Sequence, residues 1–378
     1  MNQKKLDINN YNPNKPIVIA MSGGVDSAVA AILLKKAGYE CSALFMKSWD
    51  EKNPGGNCRW EDDVTDALHI CEKLRIDINT VDLTEEYEAE VFEEFVRNYS
   101  IGFTPNPDII CNKKIKFQVF ADVAKKIGAR RIATGHYANI EETKSSVLLK
   151  KGVDLEKDQS YFLSGLTQEQ LRFSMFPLGE MTKKQVRAIA KQNNLVNSEK
   201  KSTSGICFIE QRSFRDFIKN YIKDNPGEIQ TLDGKTIGEH RGLHFYTIGQ
   251  RKGLRIGGLK HTVNSPWFVV NKDLKKNILL VAQGENNPAL MSDTLVASNA
   301  FWIEGASPLF PYNCAAKIRY RQEDQNCEVN SLSNGKLKVK FEKLQRAVAP
   351  GQTIVFYKED LCLGNAIIES NSNLNKLD

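Results

Sequence analysis

No two of the eight cysteines form a CxxC pair; they stand at 41, 58, 71, 111, 207, 314, 327 and 362. That spacing excludes the common zinc and iron–sulfur frameworks. In a reducing compartment it leaves most of them as small buried hydrophobes. No apolar run approaches the length of a bilayer span, so no membrane partner is expected. Residues Met1 to Lys15 are rich in Asn and Lys, with no apolar core and no arginine. Neither a secretory leader nor a mitochondrial transit peptide is expected there, and a cytoplasmic location is expected. Charge of one sign is also scarce: 52 basic against 46 acidic residues leave a net +6. Such a surplus permits an RNA partner without demanding one. Neither GxxxxGK[ST] nor GxGxxG follows the first apolar strand, so the two commonest phosphate loops are missing there. No solenoid repeat is present.

A different loop stands in their place. Ile17-Val18-Ile19-Ala20 predicts a buried parallel strand, and Ser22-Gly23-Gly24-Val25-Asp26-Ser27 a tight turn. Val29, Ile32 and Leu33 then fall at helical spacing, with Gly38 at the helix end. Strand, turn and helix start aim backbone N–H groups and a helix dipole at one point, which suits a phosphate. The paired glycines let that phosphate approach closely. Ser22 and Ser27 add hydroxyls, and Asp26 could hold a metal bound to the phosphates. The plainer alternative is a turn that merely joins a strand to a helix.

Strands at Cys41–Met46, Asn79–Leu83 and Arg131–Thr134 alternate with helices marked by Val64–Leu74, Tyr87–Tyr99 and Phe117–Ile127. This predicts an α/β domain over 1–210 with a Rossmann-like, doubly wound parallel sheet, its ligands at the carboxyl ends of strands. There Met46 offers either a rest for an adenine ring or simple core packing. Gly135 brings backbone towards a nucleotide, and His136 is most simply a hydrogen-bonded histidine at a strand end. Near residue 210 the texture changes. An amphipathic helix over Phe214–Ile222 leads into short strands: a small central β-rich domain over 211–285, then a C-terminal β-barrel over 286–378, with a sandwich as the alternative. Expected strands include Tyr246–Ile248, Trp267–Val270, Ile278–Val281, Ala316–Tyr320 and Leu337–Phe341.

The segment Thr104-Pro105-Asn106-Pro107-Asp108-Ile109-Ile110-Cys111-Asn112 carries the most chemistry after the loop. Two prolines hold it extended. Cys111 is expected at a helix start, followed by Lys113, Lys114 and Lys116, a setting that favours a nucleophilic thiolate. Asp108 is placed to accept or deliver a proton. A buried structural cysteine is the alternative. Cys207, in Ser202-Thr203-Ser204-Gly205-Ile206-Cys207, follows an exposed loop and by local pattern is a core residue. It gains weight only if a sulfur-carrying reaction needs a second thiol. Arg241, Arg251, Lys252 and Arg255 around Phe245 and Tyr246, and the cluster Arg319-Tyr320-Arg321, suit phosphates and stacked bases. A solvated basic face is the other reading.

SGGVDS resembles the pyrophosphate loop of adenylating, ATP-cleaving enzymes. Together with LFMKSWD, TPNPDIICN, ATGHYA, KDQSYFLSGL, STSGICFI, YTIGQRKGL and RYRQ, in this order, it is similar to the bacterial tRNA-specific 2-thiouridylase family from Ile17 to about Ile368. The resemblance implies ATP-dependent 2-thiolation of the tRNA wobble uridine. The uracil C2 oxygen would be adenylated and sulfur transferred from a cysteine persulfide, releasing AMP and pyrophosphate. It implies Cys111 as nucleophile, Cys207 as persulfide carrier and Asp108 as acid/base. Asn106, Pro107 and Asp108 would touch the target uridine. Lys157, Asp158, Gln159, Arg319 and Tyr320 would contact tRNA. Ala20, Met21, Ser22, Gly23, Gly24, Val25, Asp26, Ser27, Met46 and Gly135 would form the site for ATP, the co-substrate, with Mg2+. Implied partners are the anticodon region of tRNA and a persulfide carrier or cysteine desulfurase as sulfur donor. The one departure is Ala28, where a second serine is common.

Two routes stay open: direct attack of the persulfide on C2, or attack by Cys111 that frees hydrosulfide and leaves a Cys111–Cys207 disulfide. A C–N- or amide-forming ligase with the same loop is the nearest rival, and it would need no reactive cysteines. An RNA-binding module with a merely structural loop is a third reading, marked by RNA binding without ATP cleavage. The 4-thiouridine enzymes and the zinc- or cluster-bearing thiolases fit less well, since the chain opens directly on the loop and lacks CxxC.

Overall fold

Three β-branched residues, Ile17, Val18 and Ile19, each at 2% exposure or less, make β1 (Ile17–Ala20) the centre of the first sheet. The structure, a computed structural model, describes residues 16–49, 59–200, 217–256 and 265–372. These fall into two compact units, one within 1–86, 114–160 and 168–204, the other within 87–113, 161–167 and 205–378.

In the first unit β1 lies between β2 (Cys41–Lys47) and β4 (Arg131–Ala133). The sheet is completed by β3 (Ile78–Asp82) and by β7 (Ser174–Met175), after the hairpin of β5 (Ala138–Glu142) and β6 (Val147–Lys151). The order is β3-β2-β1-β4-β7 and every pairing is parallel. This is the expected Rossmann-like sheet. Its order reverses between β1 and β4, which opens a crevice at their carboxyl ends. The Val25–Lys36 helix buries Ala28, Ala30 and Ala31 completely. Side chains this small let it lie close to the sheet. Gly38, at φ +85°, terminates it as expected.

The second unit carries a four-stranded sheet, β10-β11-β8-β9, from β8 (Gly227–Thr231), β9 (Thr236–His240), β10 (Trp267–Asp273) and β11 (Ile278–Gln283). Beyond it six strands close into a barrel: β12 (Met291–Trp302), β13 (Tyr312–Lys317), β14 (Gln325–Ser331), β15 (Leu337–Arg346), β16 (Thr353–Lys358) and β17 (Leu361–Asn371). Closure depends on β12, which pairs with both β15 and β17. Its ladder shifts register three times across these two pairings, bending the strand between its partners. Leu295, Val329, Val339, Ile354, Phe356 and Ile368 fill the interior.

Two expected strands are corrected. Tyr246–Ile248 is not a strand: a 3-10 turn occupies Leu243–Phe245, and the Gln250 side chain accepts from Thr247 N at 3.0 Å, curling the segment. The strand expected at Ala316–Tyr320 runs instead from Tyr312 to Lys317. It stops because Gln322 Oε1 takes the Ile318 N–H at 2.8 Å, so Arg319 and Tyr320 sit on the following turn. Of the helix expected over Phe214–Ile222, residues 214–216 lie outside the described residues; Phe217 and Ile218 are helical and the chain turns from 219 onward, so the helix ends earlier than expected. Among the described residues no helix is long and apolar enough to cross a membrane.

Candidate active site

In the first unit the SGGVDS turn follows β1 and the Thr134–Tyr137 turn follows β4, so both stand at the point where strand order reverses. The loop is closed by its own hydroxyls. Ser27 Oγ donates to Gly24 O at 3.1 Å and accepts from Ser22 N at 3.2 Å, while the two serine hydroxyls lie 3.1 Å apart. Gly23 has φ +70°, and a Cβ there would overlap the Asp63 carbonyl. No side chain caps the Val25–Lys36 helix at Gly24. Its first N–H groups therefore remain available to an anion. Ala20 and Gly24 are half-buried, Ser22 is exposed, and Met21, Val25 and Ser27 are buried. Met46 is half-buried near the carboxyl end of β2, where an adenine ring could rest. Gly135 packs on the loop itself: a Cβ would stand 2.7 Å from Asp26 C and 2.8 Å from Ser27 N. His136 accepts from or donates to Thr134 Oγ1 at 2.7 Å, and burial holds its pKa well below the ordinary value.

Sequence reasoning missed several residues here. Tyr137 OH donates to Asp26 Oδ1 at 2.7 Å, and Lys183 Nζ reaches both Asp26 oxygens, at 2.6 and 2.8 Å. Burial first, and the Asp26 charge second, push the Tyr137 phenol far up, so it stays a donor. Asn197 Nδ2 donates to Gly23 O at 2.8 Å. Nothing local marks these positions, because their partners are far away in the chain.

The 157–159 triplet belongs to this unit. Gln159 is tied to Tyr137 in both directions, through Tyr137 N to Gln159 Oε1 at 3.0 Å and Gln159 N to Tyr137 O at 2.8 Å. Asp158 is 3% exposed. Its carboxylate accepts from Gly152 N, Ser160 N and Ser160 Oγ at 2.9–3.1 Å, which makes it the turn's internal acceptor. Lys157 is half-buried beside it.

In the second unit Asn106 caps a short helix, Pro107–Ile110, by accepting from Asp108 N at 3.2 Å, with Pro107 at its first position. Asp108 is half-buried. Cys111 is not at the helix start. It opens a π-helical stretch, Cys111–Val119, and its own N–H is bonded to the Asp108 and Pro107 carbonyls. The N-terminal dipole falls off within the first turn, so this source of thiolate stabilisation is weaker than expected. Cys111 is 3% exposed. Next to it Asn112 Nδ2 donates to Phe162 O at 3.1 Å, and Phe162 packs on Tyr320 with ring centroids 4.4 Å apart. Tyr161 receives the Asn106 side chain and donates to Thr353 O at 2.7 Å. Arg319 is exposed and anchored to Arg346 O at 2.8 Å. The uridine-facing and tRNA-facing candidates of this unit, Asn106 and Tyr320, are thus joined through Tyr161 and Phe162. Cys207 lies outside the described residues.

The Thr104 end is pinned by Thr104 N to Pro350 O at 3.0 Å and Gln352 Nε2 to Thr104 O at 2.7 Å. Lys272 Nζ donates to Gly102 O at 2.8 Å, and burial brings its pKa down to about 7. The unfolded chain keeps that proton up to about 10.5, whereas the folded chain releases it near 7. Stability should therefore rise with pH across this window. Lys272→Met should flatten the rise, changing the wild-type-minus-variant difference by a few kcal/mol between pH 7 and pH 10 in urea unfolding. A parallel pH dependence in both proteins would contradict the assignment.

Comparison with known proteins decides the family. Residues 15–211 match the tRNA methyl transferase HUP domain, 215–283 the tRNA methyl transferase PRC-barrel domain, and 292–368 the aminomethyltransferase beta-barrel domain. The tRNA-specific 2-thiouridylase MnmA 1 of Geobacillus kaustophilus is 51% identical over 355 residues, covering 94% of this chain and 95% of that protein. The chain belongs to the tRNA-specific 2-thiouridylase family. Its relatives from Methylococcus capsulatus (48% identical, 94% of this chain, 97% of theirs) and Serratia proteamaculans (47%, 95% and 98%) are matched over similar spans. Membership of the 2-thiouridylase family agrees with the resemblance read from the motifs. The matched spans contain both the β1 loop and the Cys111 segment.

Proposed function

We propose that the protein is a tRNA-uridine 2-sulfurtransferase that uses ATP to thiolate the wobble uridine. The observation that carries this reading is full-length similarity to tRNA-specific 2-thiouridylases, in a chain whose SGGVDS loop sits at the sheet's switch point. In this reading ATP lies across the crevice, with adenine against Met46 and phosphates on the Gly24 helix start. Gly135 supplies close backbone from the β4 side. Asp26 would hold Mg2+ together with the phosphates; one carboxylate plus phosphate oxygens is the usual Mg2+ set. Among the described residues no cluster of three or more metal-ligating side chains competes for that part. Bound there, Mg2+ would neutralise charge on the departing pyrophosphate.

The uracil C2 oxygen is a poor leaving group. Its attack on the ATP α-phosphate expels pyrophosphate and converts the oxygen into part of AMP. A terminal sulfur carried by Cys207, loaded by a persulfide carrier or cysteine desulfurase, then adds at C2. It adds either directly, the bond from Cys207 to that sulfur then being broken by attack of Cys111 on Cys207, or as hydrosulfide released by the same attack of Cys111. Both routes leave a Cys111–Cys207 disulfide. AMP departs with the oxygen, and a thiol reductant restores both cysteines. Asn106, Pro107 and Asp108 position the uridine, with Asp108 moving the proton. Arg319, Tyr320 and the Lys157–Gln159 turn hold the RNA, Asp158 by fixing the turn's shape. A base in a single-stranded anticodon loop can be splayed out at low cost.

The test is tRNA-dependent release of AMP and pyrophosphate, measured alongside 2-thiouridine in the digested tRNA, with a persulfide-generating sulfur source. Stoichiometric AMP and 2-thiouridine are expected. ATP cleavage without tRNA, with consumption of a small acid, would put a ligase in its place. RNA binding without ATP cleavage would make the loop structural.

A further inference from the structure

The Asp26 carboxylate already has a cationic partner in the ligand-free chain. Lys183 Nζ lies 2.6 and 2.8 Å from its two oxygens, and the lysine side chain is only 13% exposed. The lysine's backbone is fixed independently of that contact. Lys183 is the first residue of the Lys183–Gln192 helix, which starts in a reciprocal capping box between Thr182 and Gln185. Its N–H donates to Asp154 Oδ2 at 2.8 Å. Asp26 is fixed too, by Tyr137 OH and by the close packing of Gly135 on its backbone. An ammonium on a fixed backbone stem therefore stands beside the uncapped start of the Val25–Lys36 helix.

Taken alone, the arrangement is unfavourable to a polyphosphate. An unneutralised Asp26 would repel it at close range in this half-buried setting. An exchange of partners removes the conflict without leaving a buried charge unpaired. We infer that Lys183 is a pyrophosphate ligand held in reserve on Asp26. When the nucleotide arrives with its divalent cation, Asp26 turns to the cation and the Lys183 ammonium turns to the β- and γ-phosphate oxygens. Lys183 thereby becomes the residue that distinguishes a triphosphate, or pyrophosphate, from AMP. AMP offers neither of those phosphates and leaves the Lys183–Asp26 pair closed. The same asymmetry lets AMP leave once pyrophosphate has gone. This inference rests on the ATP reading above and deepens it.

Binding of Mg2+ with ATP, Mg2+ with pyrophosphate, and AMP alone should be measured calorimetrically on the full chain. The proteins are wild type, Lys183→Met and Lys183→Arg, with thermal midpoints recorded for each. Lys183→Met is expected to weaken ATP and pyrophosphate by about 10- to 100-fold, the range of a lost charge-assisted hydrogen bond. AMP should stay within about twofold, and Lys183→Arg should recover most of the loss. Equal weakening of AMP and ATP would assign Lys183 a structural part and overturn the inference, as would unchanged ATP binding. Lys183→Gln answers the same question if the methionine variant does not fold. Failure of the wild type to bind ATP at all would instead strike the ATP reading, and this inference with it.

Discussion

Cys111→Ser is expected to lower 2-thiouridine formation by at least about 10³-fold, the scale of losing a covalent participant. tRNA-dependent AMP release should stay within a few-fold of wild type. Serine is nearly the size of cysteine, and the site is fully packed at 3% exposure, so the neighbouring Asn112–Phe162 bond should survive. What is lost is a soft sulfur nucleophile, because a hydroxyl neither attacks a persulfide nor holds a sulfur. Cys207→Ser should give the same separation of adenylation from thiolation. Thiolation within tenfold of wild type for Cys111→Ser would remove this residue from the chemistry. Disulfide detection needs one precaution. Cys314 and Cys327 face each other across β13 and β14 with sulfurs 3.8 Å apart, close enough to oxidise together. A Cys111–Cys207 bridge is therefore sought in a Cys314→Ser background. Cys41 and Cys71 interfere little, since burial pushes both thiols up to about 11.

The turn after β1 was legible in sequence because its structure is local. Six consecutive residues, Ser22 to Ser27, supply the turn, the hydroxyls and the helix start, and the bonds that the two serine hydroxyls make to close the turn stay inside that span. Lys183 was not legible, since it meets Asp26 across 157 positions and its own neighbourhood describes only a helix cap. Asp158 illustrates the opposite limit. A charged triplet, Lys157-Asp158-Gln159, suggests a surface that meets RNA, yet the middle carboxylate is spent on backbone N–H groups and Ser160. Pattern alone cannot separate an acid that faces solvent from one that folds a turn. Cys111 was misplaced by one turn for a related reason. The Asn106-Pro107 cap starts the helix earlier than the apolar spacing suggests. The barrel was legible as a class but its closure was not, because closure needs β12 to bend and serve two partners, a long-range property of the ladder.

Gly135→Ala should cost the crevice far more than the fold. A methyl group here would stand 2.7 and 2.8 Å from backbone atoms of Asp26 and Ser27, and backbone cannot rotate away as a side chain can. Relief requires the two turns to separate by several tenths of an ångström. For the fold this is ordinary overpacking, about 1–3 kcal/mol. For the anion site it displaces the helix start and strains the 2.7 Å bond from Tyr137 to Asp26. Misplacements of this order cost roughly 100-fold in positioned chemistry. The matched control is Gly238→Ala in β9, whose new methyl would meet Ile229 at 3.6 Å, an ordinary contact. It should change neither stability by more than about 1 kcal/mol nor activity. The comparison is kcat/KM for tRNA-dependent AMP release against thermal midpoint for the two variants. A Gly135→Ala enzyme within threefold of wild type would show that the β4 turn does not shape the nucleotide site. Activity losses that simply track midpoint in both variants would locate the effect in stability, because only a disturbed crevice separates the two quantities.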